Sequence, residues 1–271
     1  TLRAFAPDDL VISMCAEIFG LEVGQPLSVY AGLNEVASAL VAGHYMQDNL
    51  QRPDLIGVIA CIEATIPFRN AVQNGQSATE LLAGRVREVT RMYVPDLVGP
   101  ALEAHVAAVM CDAVELGNRD VRGFALTDHA MFLSNTWLLI EESNAPLKSV
   151  GVYAISDYRS ALVRMAGFLA HLDPASIFQS YAGFPDKATL GEWTAAAASN
   201  LQFASDYLDC KIVSIAIIEA MALATGKDSP VSMFLGDIAS PHGKPERAED
   251  YLPQVPSCAP LNHALLQVFD K

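Results

Sequence analysis

Residues 95–117, PDLVGPALEAHVAAVMCDAVELG, decide the fold. Leu102, Val106, Val109 and Met110 recur at helical spacing on one face, and Glu103 and Asp112 fall where they can face out. Pro95-Asp96 supplies a start signal and Gly117 a stop, so the stretch reads as one long amphipathic helix ending near Gly117.

The same grammar extends in both directions. Upstream, Pro7-Asp8-Asp9 opens a helix with Leu10, Met14 and Ile18 on one side. Leu27 to Val41 forms a second helix, which Gly43 stops, and Pro53-Asp54 begins a third that reaches about Pro67. Ser77-Ala78-Thr79-Glu80 has the spacing of a capping box before Leu81 to Met92. Downstream, Thr127-Asp128 caps His129 to Glu142, Ser156-Asp157 introduces Tyr158 to Leu172, and Asp173-Pro174 breaks that helix. Thr189 to Ser199 and Ser205 to Thr225 read as two more helices, the second closed by Gly226. Only Leu21 to Tyr30 and Lys148 to Ile155 have strand character. The expected fold class is therefore all-α: a multi-helix globular body over 1–239, with a lobe boundary near 143–150 where Ser143-Asn144-Ala145-Pro146 interrupts two helical regions.

The remainder, 240–271, reads as an extended arm. Five prolines between Ser240 and Pro260 remove backbone donors and fix φ, which excludes helix and central strand. Leu261, Leu265, Leu266, Val268 and Phe269 then resume an apolar pattern, expected to be a short helix that docks on a neighbouring copy of the chain.

Composition points the same way. Hydrophobic residues make up 52 % and charged residues 18 %, with a mean hydropathy of +0.27. That is little charge with which to cover a monomer, since about 25 % is usual. A membrane protein is excluded by the short apolar runs: Leu55 to Ile62, His129 to Ile140 and Ile212 to Ile218 are each cut by charged residues, and prolines interrupt Leu252 to Phe269. No basic segment followed by an apolar one opens the sequence, so an intracellular homo-oligomer is expected. Cys15, Cys61, Cys111, Cys210 and Cys258 form no C-x-x-C pair and read as structural.

No compact catalytic signature occurs: there is no P-loop, G-x-G-x-x-G, G-x-S-x-G or H-E-x-x-H. Glu103 and His105, and Asp128 and His129, have spacings that do not set both groups on one helical face, so neither metal nor cofactor is expected. Asp237 lacks the upstream aspartate-rich partner that a magnesium–diphosphate site needs. Trp137 and Trp193, with Tyr153, Tyr158 and Tyr181, read as core or interface anchors.

The net charge of −14 disfavours nonspecific nucleic-acid binding, yet nine of the eleven arginines fall between Arg52 and Arg164. Arg85, Arg87, Arg91, Arg119, Arg122, Lys148, Arg159 and Arg164 are the candidates for a groove that holds a nucleic-acid backbone such as RNA. The leading expectation is a self-assembling structural protein of coat or nucleocapsid type, in preference to an enzyme. The competing expectations are a helical enzyme or small-molecule binder with a pocket built from Asp128, His129, Glu141, Tyr207 and Glu219, and an adaptor whose groove accepts a partner helix.

Overall fold

Asp9 accepts the Ile12 N–H at 3.0 Å and starts α1 (Leu10–Phe19), which ends at Gly20 in the left-handed region. The helices that follow are α2 (Leu33–Met46), α3 (Arg52–Ala64), α4 (Ala78–Tyr93) and α5 (Gly99–Asp120). Then come α6 (His129–Ser143), α7 (Ile155–Ala170) and α8 (Lys187–Ala224). This computed structural model describes residues 9–22, 24–25, 32–69, 75–148, 153–224 and 228, apart from the side chains of Trp137, 141–143, Pro146 and Lys148. Among the described residues there is no strand, and the fold class is all-α, a body of several helices. The arm residues Leu261, Leu265, Leu266, Val268 and Phe269 lie outside the described residues.

The described residues fall into two units. The first comprises those of Thr1–Ala125 and Asp173–Ala195, and the second those of Leu126–Leu172 and Ala196–Lys271. In the first, α3 is the central element and packs against α1, α2, α4 and α5. Its Ile56, Ile59 and Ala60 are fully buried among Met14, Ile18, Leu82, Val86 and Met110, as the apolar spacing requires. The Ser77 and Glu80 side chains cap each other's backbone, as the capping box predicts.

Residues 173–195 complete this unit by hydrogen bonding. Gln179 donates from Nε2 to the Ala64 carbonyl at 2.6 Å and from its backbone to Asn118 Oδ1 at 2.7 Å, while Asn118 Nδ2 returns a bond to the Gln179 carbonyl. Thr79 Oγ1 donates to the Ser180 carbonyl at 2.8 Å. Buried polar groups at the ends of α3 and α5 are thereby satisfied.

Two glycines expected as helix stops lie inside helices instead. A β-carbon on Gly43 would stand 2.5 Å from Val11 Cγ1, and one on Gly117 would stand 2.6 Å from the Ala64 carbonyl oxygen. Both glycines permit close helix approach, and α2 and α5 run past them to Met46 and Asp120.

In the second unit, α6 packs against α7, and Phe132, Ile140, Ile155, Leu162, Leu169 and Leu208 are buried. The Lys148 to Ile155 segment forms no strand where described: Ala154 already caps α7, with Asp157 Oδ2 accepting its N–H at 3.2 Å. The two helices expected around Ser205 are one continuous helix, α8, of 38 residues. Asp206 does not cap; it accepts from Gln202 Nε2 one turn earlier at 2.9 Å. The buried Asn200, Leu201, Phe203, Ala204 and Leu208 carry one packing face through the expected break, and tertiary burial outweighs the local capping preference.

Candidate functional site

The most deeply placed charge among the described residues is Glu63, 2 % exposed at the end of α3. An acid on that apolar face needs partners, and it has two. Arg69 donates to both carboxylate oxygens, at 2.6 and 3.1 Å, and Arg85 donates from α4 at 2.6 Å. Burial pulls the Arg85 pKa down, opposed by the nearby carboxylate. Two guanidiniums on one carboxylate leave one surplus positive charge. Beside Arg69 opens a cleft of about 490 Å³, lined by Thr79, Asp173, Phe178, Gln179 and Tyr181 among others.

Sequence reasoning nominated Arg85 but missed Glu63 and Arg69. The signal was a lone acid inside Ile59 to Ala64, which burial obliges to find a cation.

The other nominated cations are distributed among local partners. Arg87 forms a bidentate pair with Glu103, Arg91 pairs with Glu88 at 2.6 Å and Arg119 with Glu115 at 2.7 Å. In the second unit Arg159 pairs with Glu219, and Arg164 donates to Asn144 Oδ1 at 3.1 Å. The Lys148 side chain lies outside the described residues. Arg122 differs: its guanidinium sits 4.0 Å from the Trp193 ring centroid, and among the described residues no carboxylate pairs with it. Arg119 and Arg122 do line one groove in the first unit, together with the acids Glu115 and Asp186.

The residues of the alternative pocket are tied into structure. Asp128 caps α6 by accepting the Ala130 and Met131 N–H groups. His129 stacks on Phe203 at 4.8 Å and hydrogen-bonds through Nδ1 to Asn200 Oδ1 at 2.6 Å. Because Asn200 Nδ2 donates to the Leu126 carbonyl, Oδ1 is the acceptor and His129 Nδ1 carries the proton. Burial raises the Tyr207 pKa. The Glu141 side chain lies outside the described residues. Among the described residues no group of three or more His, Cys, Asp or Glu could hold a metal ion, and no helix is long and apolar enough to cross a membrane.

Apolar surface is the remaining feature. On α8, Val213, Ile217 and Met221 are 60, 58 and 59 % exposed at successive turns, and on α2 Val41 and Tyr45 are 71 and 84 % exposed. Against protein-family models, curated proteins and solved structures alike, the chain has no match.

Proposed function

We propose that the chain is a self-assembling structural protein whose copies are joined by the carboxyl-terminal arm. The observation that carries this reading is the stripe Val213, Ile217 and Met221, one residue per turn along α8 and open to solvent over most of each side chain. Single exposed apolar residues are ordinary; a row of them on one helix face is the kind of surface that a partner covers. The arm supplies a matching element. Leu261, Leu265, Leu266, Val268 and Phe269 have the i, i+4, i+7 spacing of an amphipathic helix that lays an apolar face into such a surface.

Nucleic-acid backbone contact belongs to the same proposal in a restricted form. Arg85 is committed to a buried carboxylate. Arg91 and Arg119 sit in exposed ion pairs, which contribute little net stability and can exchange carboxylate for phosphate. Arg122 faces a ring instead of an acid, so phosphate contact there breaks no ion pair described.

The test is absolute mass by light scattering together with the 260 to 280 nm absorbance ratio, for the full chain and for a truncation after Asp237. A homopolymer that collapses to monomer on truncation while keeping its helicity supports the reading. A monomeric full chain, or a truncated chain that still assembles, overturns it.

A further inference from the structure

We propose that the cleft beside Arg69 binds a small, uncharged, planar amide or lactam. The site lies within the first unit and is independent of the assembly reading above.

Two kinds of outlier converge on this cleft of about 490 Å³. Among the described residues other than glycine, only Phe68 and Ala182 have backbones in the left-handed region, at φ 56° and 49°. Both line the cleft. Such a conformation costs on the order of 1–3 kcal/mol, persists where the surroundings enforce it, and clusters at ligand sites. The second kind of outlier is polar. Arg69 Nε and Gln179 Oε1 are buried, and neither has a hydrogen-bond partner among the described residues. Folded proteins leave few such groups unpaired, so a donor and an acceptor orphaned on two residues of one cleft point to a ligand that supplies the opposite of each.

The bonds these side chains already make define that ligand. Arg69 commits Nη1 and Nη2 to the Glu63 carboxylate, and Nη2 also donates to the Glu63 carbonyl at 3.3 Å. Its Nε–H is left for a carbonyl. Gln179 commits Nε2 to the Ala64 carbonyl, which fixes the orientation of its amide and leaves Oε1 for an N–H. A carbonyl and an N–H together make an amide. The Arg69 side chain is 21 % exposed and Gln179 is half-buried, so a rotamer adjustment on binding brings both atoms to the cleft. A net charge on the ligand is disfavoured from both sides. An anion would meet Glu80 and Asp173 on the lining, and a cation would meet Arg69, whose trio carries a surplus positive charge. Both acids are also engaged with backbone: Glu80 Oε2 accepts the Ser77 N–H at 2.7 Å, and Asp173 Oδ1 accepts the Ala175 N–H at 2.9 Å. Phe68, Phe178 and Tyr181 supply aromatic surface for a flat ring.

The experiment is saturation-transfer NMR on the full chain, with nicotinamide and uracil as uncharged probes and benzoate and benzylamine as charged ones. Both amides are expected to receive saturation from the protein, and the charged probes to receive none. Arg69→Lys keeps a cation opposite Glu63 and removes the Nε donor, so it weakens amide binding about tenfold, the worth of one hydrogen bond. Arg85→Lys removes the other orphaned Nε of the same trio, and because Arg85 does not line the cleft it leaves binding unchanged. Ala175→Trp fills the cleft without touching the trio and abolishes binding. Failure of both amides to bind overturns the proposal, as do charged probes that bind equally well or equal weakening by the two lysine variants. Should circular dichroism show Arg69→Lys unfolded, Ala175→Trp decides alone, and undiminished binding to it overturns the site.

Discussion

Arg85 on α4 donates to Glu63 on α3 at 2.6 Å, and the carboxylate that receives it is 2 % exposed. Because Arg69 meets the same oxygen at 2.6 Å, Glu63 is the shared counter-charge of both arginines.

Replacing Glu63 with Gln leaves two partly buried guanidiniums facing each other without a counter-charge. Loss of one partner from a buried ion pair is costly, and with both arginines still reached by some water we expect destabilisation of about 3 kcal/mol. The urea midpoint of the variant against the parent chain checks it; a shift within the error of the measurement would show that the trio is not structural.

The glycines separate packing from helix propensity. Gly43→Ala is expected to destabilise by about 1–3 kcal/mol through crowding of Val11, and Gly117→Ala by at least as much because its obstacle is the backbone of Ala64. Gly84 lies inside α4, and a β-carbon added there would meet nothing within 4 Å, so Gly84→Ala should stabilise by roughly 0.5–1 kcal/mol. Thermal or denaturant unfolding of the three variants ranks them, and destabilisation by Gly84→Ala would refute the distinction.

A pH-dependent tie joins α1 to α2. His44 Nε2 meets Asp9 Oδ2 at 2.9 Å; the hydrogen bond to Asp9 raises the His44 pKa above 6.5, while the Ile12 N–H and then His44 lower that of Asp9 below 3.8. The raised histidine contributes stability in full below 6.5 and loses it as pH rises through its folded value. The depressed aspartate contributes above 3.8 and loses it as pH falls through its folded value. The tie is therefore strongest between those ordinary values. Melting temperatures at pH 5.5 and 8.5 should differ less in His44→Ala than in the parent chain, and an identical difference in both would show that the pair carries no pH-dependent stability.

Ile217→Glu places a charge in the middle of the exposed α8 stripe. A surface substitution of this kind changes the folding stability of a single copy by no more than about 0.5 kcal/mol, so the circular dichroism spectrum should be unchanged while the mass by light scattering falls. Unaltered assembly would detach the stripe from the interface.

Much of the helical framework was legible because its signals are local. Asp9, Ser77 and Asp128 announce helix starts through side chains that reach their own backbone within three residues. What the sequence hid depends on neighbours far along the chain. Gly43 and Gly117 look like stops until Val11 and Ala64 are seen against them. Asp206 looks like a cap until the buried face of α8 is seen to continue beneath it. The groove was equally hidden, since Arg122 and Trp193 belong to segments whose meeting no periodicity encodes.

The first unit is interrupted in sequence, and that sets an order on its completion during synthesis. The Ala64 carbonyl waits for Gln179, 115 residues later, and Asn118 waits for the same residue. At about 5–20 residues per second the first wait lasts on the order of ten seconds, during which all of α6 and α7 is synthesised. Until Gln179 is made, the first unit therefore holds its five helices α1 to α5 and an unfinished rim, and a pause in translation before that point would prolong the exposure of the Ala64 carbonyl and the Asn118 amide, which the folded unit buries.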